Sequence, residues 1–517
     1  MLLSVKRYLT GPYSLGNTPA VQEPVPHKWL PGDIIDPETK CVVKRGAHKE
    51  IVGIVDFLNR TGMGFNARNV PLYLFHPHDP KYPPMIVSSK VKHGTNKIAT
   101  VAIEHWNDKW PRAGLASILG DVGDPPTEKK ALLLRTRMPA FPTNLTITSS
   151  TSTHETVEWD AAFNIDPEGC EDVDDVLCWR KTDEGYEVAI AIADVAAWVP
   201  EGSDMDVVAL QAGQTLYNEG AVIHPMLPTI LSTLSASLRA DGVARPALAY
   251  CFTVEYCQVV ARAWRRIMLP VQRAYTYESV LSEHAICLIV PRLLGALTGA
   301  PVGDDPHHWI EVAMIAYNTA AATELRAAGV GVLRAHTGRG NAEWDALATA
   351  TGCRALAFLG ASSGSYVRGD QTDCAHAGLG LDVYCHASSP LRRYADLANQ
   401  RWLHHLLFGA PRPAADTDVG HLNERAAVAK AYERDMWFLA HLRTDAITTV
   451  SGFVLSCDGV EASVYVPDWR RKIRGVCDSS ADMVYVLQAG DRVTVRAYTD
   501  LRRCSWSNRI VCSVNVA

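Results

Sequence analysis

Phe163-Asn-Ile-Asp-Pro-Glu-Gly-Cys-Glu-Asp-Val-Asp-Asp-Val-Leu177 is the stretch that decides the reading of this chain. It holds six acids, Asp166, Glu168, Glu171, Asp172, Asp174 and Asp175, and no base. Yet Ile165, Val173, Val176 and Leu177 are apolar and call for part of the segment to be buried. Carboxylates crowded into a half-buried site repel one another and cannot all stay ionised unless a cation compensates them. Hard oxygen donors without clustered His or Cys favour Mg2+ or Mn2+ over zinc, and magnesium commonly shares its shell with substrate phosphate. The segment is therefore a candidate phosphodiester site. An acidic surface loop has the same composition, as does a calcium loop, although the glycine and distal glutamate of an EF-hand are missing.

The opposite charge comes from Tyr384-Cys-His-Ala-Ser-Ser-Pro-Leu-Arg-Arg-Tyr-Ala-Asp-Leu397. Pro390 at the first helical position, after Ser389 as N-cap, predicts a helix whose positive end faces an anion together with Arg392 and Arg393. Phosphate is the obvious guest. The alternative is a capped surface helix whose arginines pair with Asp396 and Glu433.

Around these windows, 517 residues suggest three or so domains at roughly 150 residues each. With 47% apolar and 21% charged residues the chain is an ordinary globular protein. No stretch approaches the roughly 18 to 20 apolar residues of a membrane helix, so we expect a soluble protein with no membrane partner. Fifty basic against 56 acidic side chains give a net charge of −6, which excludes a wholly basic nucleic-acid coat and leaves local patches to hold any polyanion. Thirteen cysteines, an odd number without a secretory signal core, read as thiols of a reducing compartment, cytoplasmic or nuclear. Lys6 and Arg7 in an acid-free start faintly resemble an organelle transit segment.

Residues 1–30 carry repeated prolines and read as an arm. Residues 31–135 alternate short β-rich runs (51–58, 72–75, 85–88, 98–103) with turns, the pattern of a small barrel, with Lys90, Lys92 and Lys97 along one edge. Residues 136–445 open with strands (187–195, 247–254) and turn helical. There Ile310, Met314, Tyr317, Ala321 and Leu325 form an apolar stripe over 307–328, with Gly329 as a stop signal. A second helix is predicted over 423–442, with Val428, Ala431, Leu439 and Leu442 on its apolar side. Residues 446–517 return to strands (450–455, 462–466, 492–498, 509–514), a second barrel. The expected class is α+β, with a central domain flanked by β-barrels.

These residues resemble a family. Asp166, Asp172, Asp174 and Asp175, then Ala191-Ile-Ala-Asp194-Val, His224-Pro-Met-Leu-Pro228 and Ser388-Ser-Pro-Leu-Arg-Arg-Tyr-Ala-Asp396, resemble in order the motifs of the RNB (ribonuclease II-like) exoribonucleases. Leu74-Phe-His-Pro-His-Asp79, Trp106, Pro111, Gly114 and Leu119-Gly-Asp121 look like the cold-shock domain that precedes the catalytic domain, and the tail resembles an S1 domain. Gly295-Ala-Leu-Thr298 looks more like the eukaryotic exosome-nuclease branch than the bacterial one, although neither that branch's PIN domain nor a second cold-shock domain is expected here.

The resemblance implies a fold, an RNB domain between oligonucleotide-binding (OB) barrels, and an activity. The 3′ end of single-stranded RNA would thread a channel to a Mg2+ site (Mn2+ as substitute) and be hydrolysed to nucleoside 5′-monophosphates, alone or with RNA-decay complex subunits. Asp166, Asp172 and Asp175 would hold the metal and Asp174 a second metal or the attacking water. Arg392 would meet the scissile phosphate's growing charge, with Arg393 beside it. Tyr217 would stack on the terminal base, Tyr277 and Glu311 would contact the sugar, and Glu433 would lie near the last nucleotides. The chain departs from the family at Gly299, where some members set a second aromatic opposite the stacking tyrosine, and at Ala191, Ala197 and Ala387. His376 and His386, beside Cys374 and Cys385, match family histidines that bind no zinc. Two other classes remain at this stage: an RNB fold that clamps RNA as a catalytically weak complex subunit, and an interaction protein whose barrels recruit proteins.

Overall fold

The computed structural model describes residues 3–4, 28–36, 38–46, 50–59, 63–91, 94–143, 147, 153–336, 338, 342–359, 363–414, 417–441, 447–477, 487–504 and 509–516. Most of the expected arm, together with Lys92 and Leu442, lies outside them. The chain groups into two compact units. The first gathers Met1–Arg137, Ala346–Leu356 and Arg434–Ala517, and the second Met138–Asp345 and Ala357–Glu433.

The first unit contains two closed five-stranded barrels. In the amino-terminal one, Ile51–Val55, Leu72–Pro77, Met85–Ser88, Arg112–Asp121 and Lys97–His105 follow one another around the wall. Thr448–Cys457, Glu461–Val466, Arg471–Cys477, Ile510–Val516 and Arg492–Thr499 make the second in the same order. Each closes through one parallel pair, third strand to fifth, which is the OB-type connectivity. Alternation sorts the side chains: Ile51, Val55 and Phe75 point into the first barrel, while Val52 and Ile54 pack outside it with Ile98, Val122 and Ala131. Gly53 must be glycine, because a Cβ there would sit 2.3 Å from the His76 carbonyl oxygen.

A helix over Pro125–Thr136, absent from the sequence reading, covers that outer cluster. Asp124 caps it by accepting from the Thr127 amide, and Pro126 follows Pro125 at its start. The helix buries Glu128, which pairs with Arg509 of the second barrel, and its Arg135 pairs with Asp435, which also holds Arg471. Ion pairs buried to this degree cost desolvation and are strict about geometry, so they fix how the barrels meet within this unit.

The second unit is built on a seven-stranded sheet ordered Arg273–Tyr275, Ala161–Ile165, Asp175–Lys181, Gly185–Ala193, Ala244–Glu255, Gln258–Pro270 and Glu155–Thr156. Two-residue alternation gives it two unlike faces. Ala189, Ala191, Ala193, Ala247 and Ala249 share one face, and their small side chains leave room for Leu391, Tyr394, Ala395 and Ala398. Ile190, Ile192, Leu248, Tyr250 and Phe252 line the other against Trp309, Tyr317, Ala321 and Leu325. Those last residues belong to the predicted helix, which spans Pro306–Ala328 between an Asp305 cap and Gly329 at φ +66°. The other predicted helix spans Val419–His441, starting four residues earlier than the periodicity indicated. Among the described residues no helix is long and apolar enough to cross a membrane.

His78, in the first unit, gives a test of this packing. Burial, reinforced by the charges of Arg509 and Arg135, pushes its imidazole down to about 3. The folded state therefore keeps it neutral while the unfolded chain takes up a proton below pH 6.5. Stability is full above that value and falls as pH drops toward 3, by about 1.4 kcal/mol per unit. Denaturant unfolding of wild type and His78→Gln between pH 7 and 5 should show the wild type losing about that much more per pH unit; parallel losses would remove His78 from the acid limb.

Candidate active site

The strand Ala161–Ile165 ends at Asp166, whose amide donates to the Tyr275 carbonyl (3.0 Å). After the turn at Gly169 (φ +80°) the chain returns through Asp172 and Asp174 and re-enters the sheet at Asp175. Ile165 and Leu177 enter one core, Val173 and Val176 the other, so this hairpin is pinned from both faces of the sheet. Ser237 clamps its backbone, accepting from the Val173 amide and donating to the Glu171 carbonyl, both at 2.9 Å. No sequence signal had singled out Ser237.

The hairpin forms one wall of a cavity of about 1050 Å3, lined by Asp166, Asp172, Asp174, Asp175, Tyr217 and Arg392 among others. Glu168, Glu171, Tyr277, Arg393 and Glu433 also line it. Asp174 is only 4% exposed; it accepts from the Leu391 amide at 2.9 Å and faces the Arg392 guanidinium at 3.4 Å. Asn164 donates to Asp166 (2.8 Å), and the Tyr217 hydroxyl donates to Asp172 (3.2 Å). Burial holds the carboxyls of Asp166, Asp174 and Asp175 above the usual carboxylate range; the neighbouring carboxylates add to this, Asp172 on Asp166 and Asp166 on Asp175, while Arg392 partly offsets all three.

The arginine segment departs from its expectation. Ser389 and Pro390 do not begin the helix; they lie in a turn, and the helix starts at Tyr394 with Arg393 as N-cap residue. The reason is tertiary. The Ser389 amide donates to Asp396 (2.8 Å), and the Tyr394 and Thr215 amides are paired with the carbonyls of Gly213 and Arg392 (both 2.9 Å), which holds Arg393 extended at the end of the turn. The two arginines consequently differ. Arg393 makes two 2.8 Å bonds to fully buried Asp396, whereas the Arg392 side chain keeps 44% of its surface exposed toward the cavity.

Tyr277 reaches the cavity and stacks on His307, with ring centroids 3.8 Å apart. Glu311 is not brought there: its side chain is 62% exposed and sits 3.4 Å from His308. Helical phase explains this. Ile310 and Met314, four apart on one face, line the cavity, and Glu311 is rotated about 100° from Ile310. The sequence had read Ile310 and Met314 as core. Below them Asn318 donates to Tyr384 and Ser388 and accepts from the Ala387 amide, a buried polar floor that the sequence reading missed. Cys374 and Cys385 each point at a backbone carbonyl, and His386 is bonded to Tyr366 at 2.9 Å.

The donor set is carboxylate oxygen, crowded and held above the usual carboxylate range by burial, and it fits a hard divalent cation. Asp166, Asp172, Asp174 and Asp175 are the residues that would hold it.

Fold and cavity together define an α+β protein in which a mixed sheet carries an acidic pocket and two OB-type barrels accompany it. The chain carries an RNB domain, whose model matches residues 157–280 and 300–409, and the Dis3-like cold-shock domain 2 model matches residues 72–137. Exoribonuclease 2 of Aeromonas hydrophila is 27% identical over 365 residues, 55% of this chain and 54% of that one, so the chain spans about half the length of the curated relatives it matches. The apo form of Mycoplasma genitalium RNase R superposes with a TM-score of 0.69 at 17% identity over 94% of both chains. Yeast Ssd1, a pseudonuclease, does so with 0.61 at 15% identity over 89% of this chain and 68% of that one. Likeness at these identities shows the fold, and activity must be argued from the residues.

Because the crowded carboxylates oppose folding when no cation is bound, Asp175→Asn should raise the unfolding temperature in EDTA at pH 8. The sign follows from the raised folded-state value of Asp175. Destabilisation is full above that value and vanishes as pH falls toward the ordinary carboxylate range, so the gain should shrink on acidification. Mg2+ should then stabilise the wild type more than the variant. Scanning calorimetry at two pH values checks this, and a variant less stable than wild type in EDTA would contradict it.

Proposed function

We propose that this chain is a hydrolytic, Mg2+-dependent 3′-to-5′ exoribonuclease that degrades single-stranded RNA to nucleoside 5′-monophosphates, with Mn2+ as an alternative cation. The observation that carries the reading is Asp174 paired with Arg392 at 3.4 Å inside a cavity walled by Asp166, Asp172 and Asp175. A pocket meant only to clamp a polyanion gains nothing from concentrated negative charge. A bound Mg2+ would neutralise that charge and supply an activated water against the scissile phosphate.

The chain's own residues do the rest. Arg392, oriented by Asp174 and by Ser389 Oγ (3.2 Å), stands ready for charge developing on the phosphate. Tyr217 is bonded to Asp172 and offers its ring to the terminal base. Tyr277 faces the sugar, where the 2′-hydroxyl separates RNA from DNA. Ile310 and Met314 give the wall an apolar surface indifferent to base identity. Arg393 acts by holding the segment in place through Asp396, and Glu433 borders the cavity beside the preceding nucleotides. The tail barrel is taken as S1-like, with the cytoplasm or nucleus as the compartment and RNA-decay complex subunits as partners.

Asp174→Asn should keep the Leu391 hydrogen bond, fold normally and bind RNA as well as wild type or better, while turnover falls about 10³-fold or more. Incubating 5′-labelled RNA with Mg2+ and each protein reads this directly. A wild type that shifts the RNA without shortening it would leave a binding protein on the RNB fold. Sugar discrimination should follow the cavity: Tyr277→Ala narrows the RNA-to-DNA rate ratio about tenfold, and Glu311→Ala leaves it within about twofold. The reverse order would return Glu311 to the sugar site.

A further inference from the structure

A second cluster of donor atoms lies in the first unit, remote in sequence from the aspartates. A side-chain oxygen of Asp56, a ring nitrogen of His76 and the sulfur of Cys504 all lie within 4.8 Å of one another. Strand register brings the first two together. Ile54 pairs with His76 across the antiparallel ladder, and the Asp56 amide donates to the Leu74 carbonyl (2.9 Å), so Asp56 and His76 are diagonal neighbours on the outer face of the barrel. Cys504 arrives from the second barrel and packs at the edge of the same outer cluster that holds Ile54.

Each donor is positioned by other bonds. The Asn59 amide donates to Asp56 Oδ1 (3.1 Å) and orients the carboxylate. Asn96, 2% exposed, ties the two sides: its Oδ1 accepts from the Leu58 amide (3.1 Å), and its Nδ2 donates to the Arg502 carbonyl (3.2 Å) and to Cys504 Sγ (3.4 Å). An N–H aimed at sulfur is what metal-bound thiolates commonly receive from their surroundings. Asp500 shapes the loop that delivers the thiol, accepting from the Arg502 amide at 3.1 Å.

We propose that Asp56, His76 and Cys504 form a zinc site that fastens the loop of the carboxy-terminal barrel to the outer wall of the amino-terminal barrel. One oxygen, one imidazole nitrogen and one sulfur make a mixed donor set suited to tetrahedral Zn2+, with water in the fourth position. It is unlike the all-oxygen set of the aspartate cavity. The site complements the Glu128–Arg509 pair, because binding joins segments far apart in the chain and so stabilises their association.

The test uses the full chain, stripped by chelator and titrated with Co2+ alone. Cobalt on a thiolate absorbs in the near ultraviolet by charge transfer, and cobalt on oxygen donors does not. One equivalent should develop that band, and Zn2+ should displace it. Cys504→Ser should abolish the band, and His76→Gln should weaken it with circular dichroism unchanged. Cys170→Ser should leave it intact, which separates this site from the aspartate cavity that Cys170 lines. If Cys504→Ser fails to fold, Asp56→Asn combined with His76→Gln should lose the one-equivalent band, and its persistence there overturns the proposal equally. Zn2+ should also raise the wild type's unfolding temperature and leave that of Cys504→Ser unmoved. A folded wild type that shows no band, or a band that survives in Cys504→Ser, overturns the proposal.

Discussion

The second unit depends on a conflict held in place at one hairpin. Asp166, Asp172, Asp174 and Asp175 would separate if the chain were free to let them, since like charges in a poorly solvated pocket oppose one another. They stay together because Ile165, Val173, Val176 and Leu177 anchor the hairpin in two different cores and Ser237 takes up its backbone groups. The unfavourable charge arrangement is thus maintained by apolar packing on either face of the sheet. A cation and an anionic ligand are what relieve it.

Alternation in the sheet serves the same end. The alanine-rich face lets the segment from Leu391 to Ala398 lie close, and Gln400 fixes it by bonding the Ala193 carbonyl (2.8 Å) and the Ala196 amide (3.0 Å). That close approach brings the Leu391 amide and the Arg392 guanidinium onto Asp174. Ala191 belongs to this small-residue face and lies outside the charged set. The first unit uses a different device, in which two barrels of identical strand order meet through buried ion pairs. Buried pairs add little net stability but penalise any other geometry, so they act on relative position within that unit.

What the sequence by itself determined is local. Alternation marked most of the barrel strands, the stripe ending at Gly329 marked the helix Pro306–Ala328, and the density of acids marked the hairpin. Motif order led to the RNB resemblance because the residues that carry it cluster within short windows. Tertiary structure decided what depends on partners far away in the chain. Asp396 and the Gly213 carbonyl, not Pro390, determine where the arginine helix begins, and Asp396 separates a structural Arg393 from an available Arg392. One residue of helical phase sends Ile310 to the cavity and Glu311 to solvent, a distinction that apolar periodicity cannot draw because cavity wall and core share one stripe. Glu128 with Arg509, and Asp56 and His76 with Cys504, leave no periodic trace at all, since their partners are set by how the barrels pack and not by spacing along the chain.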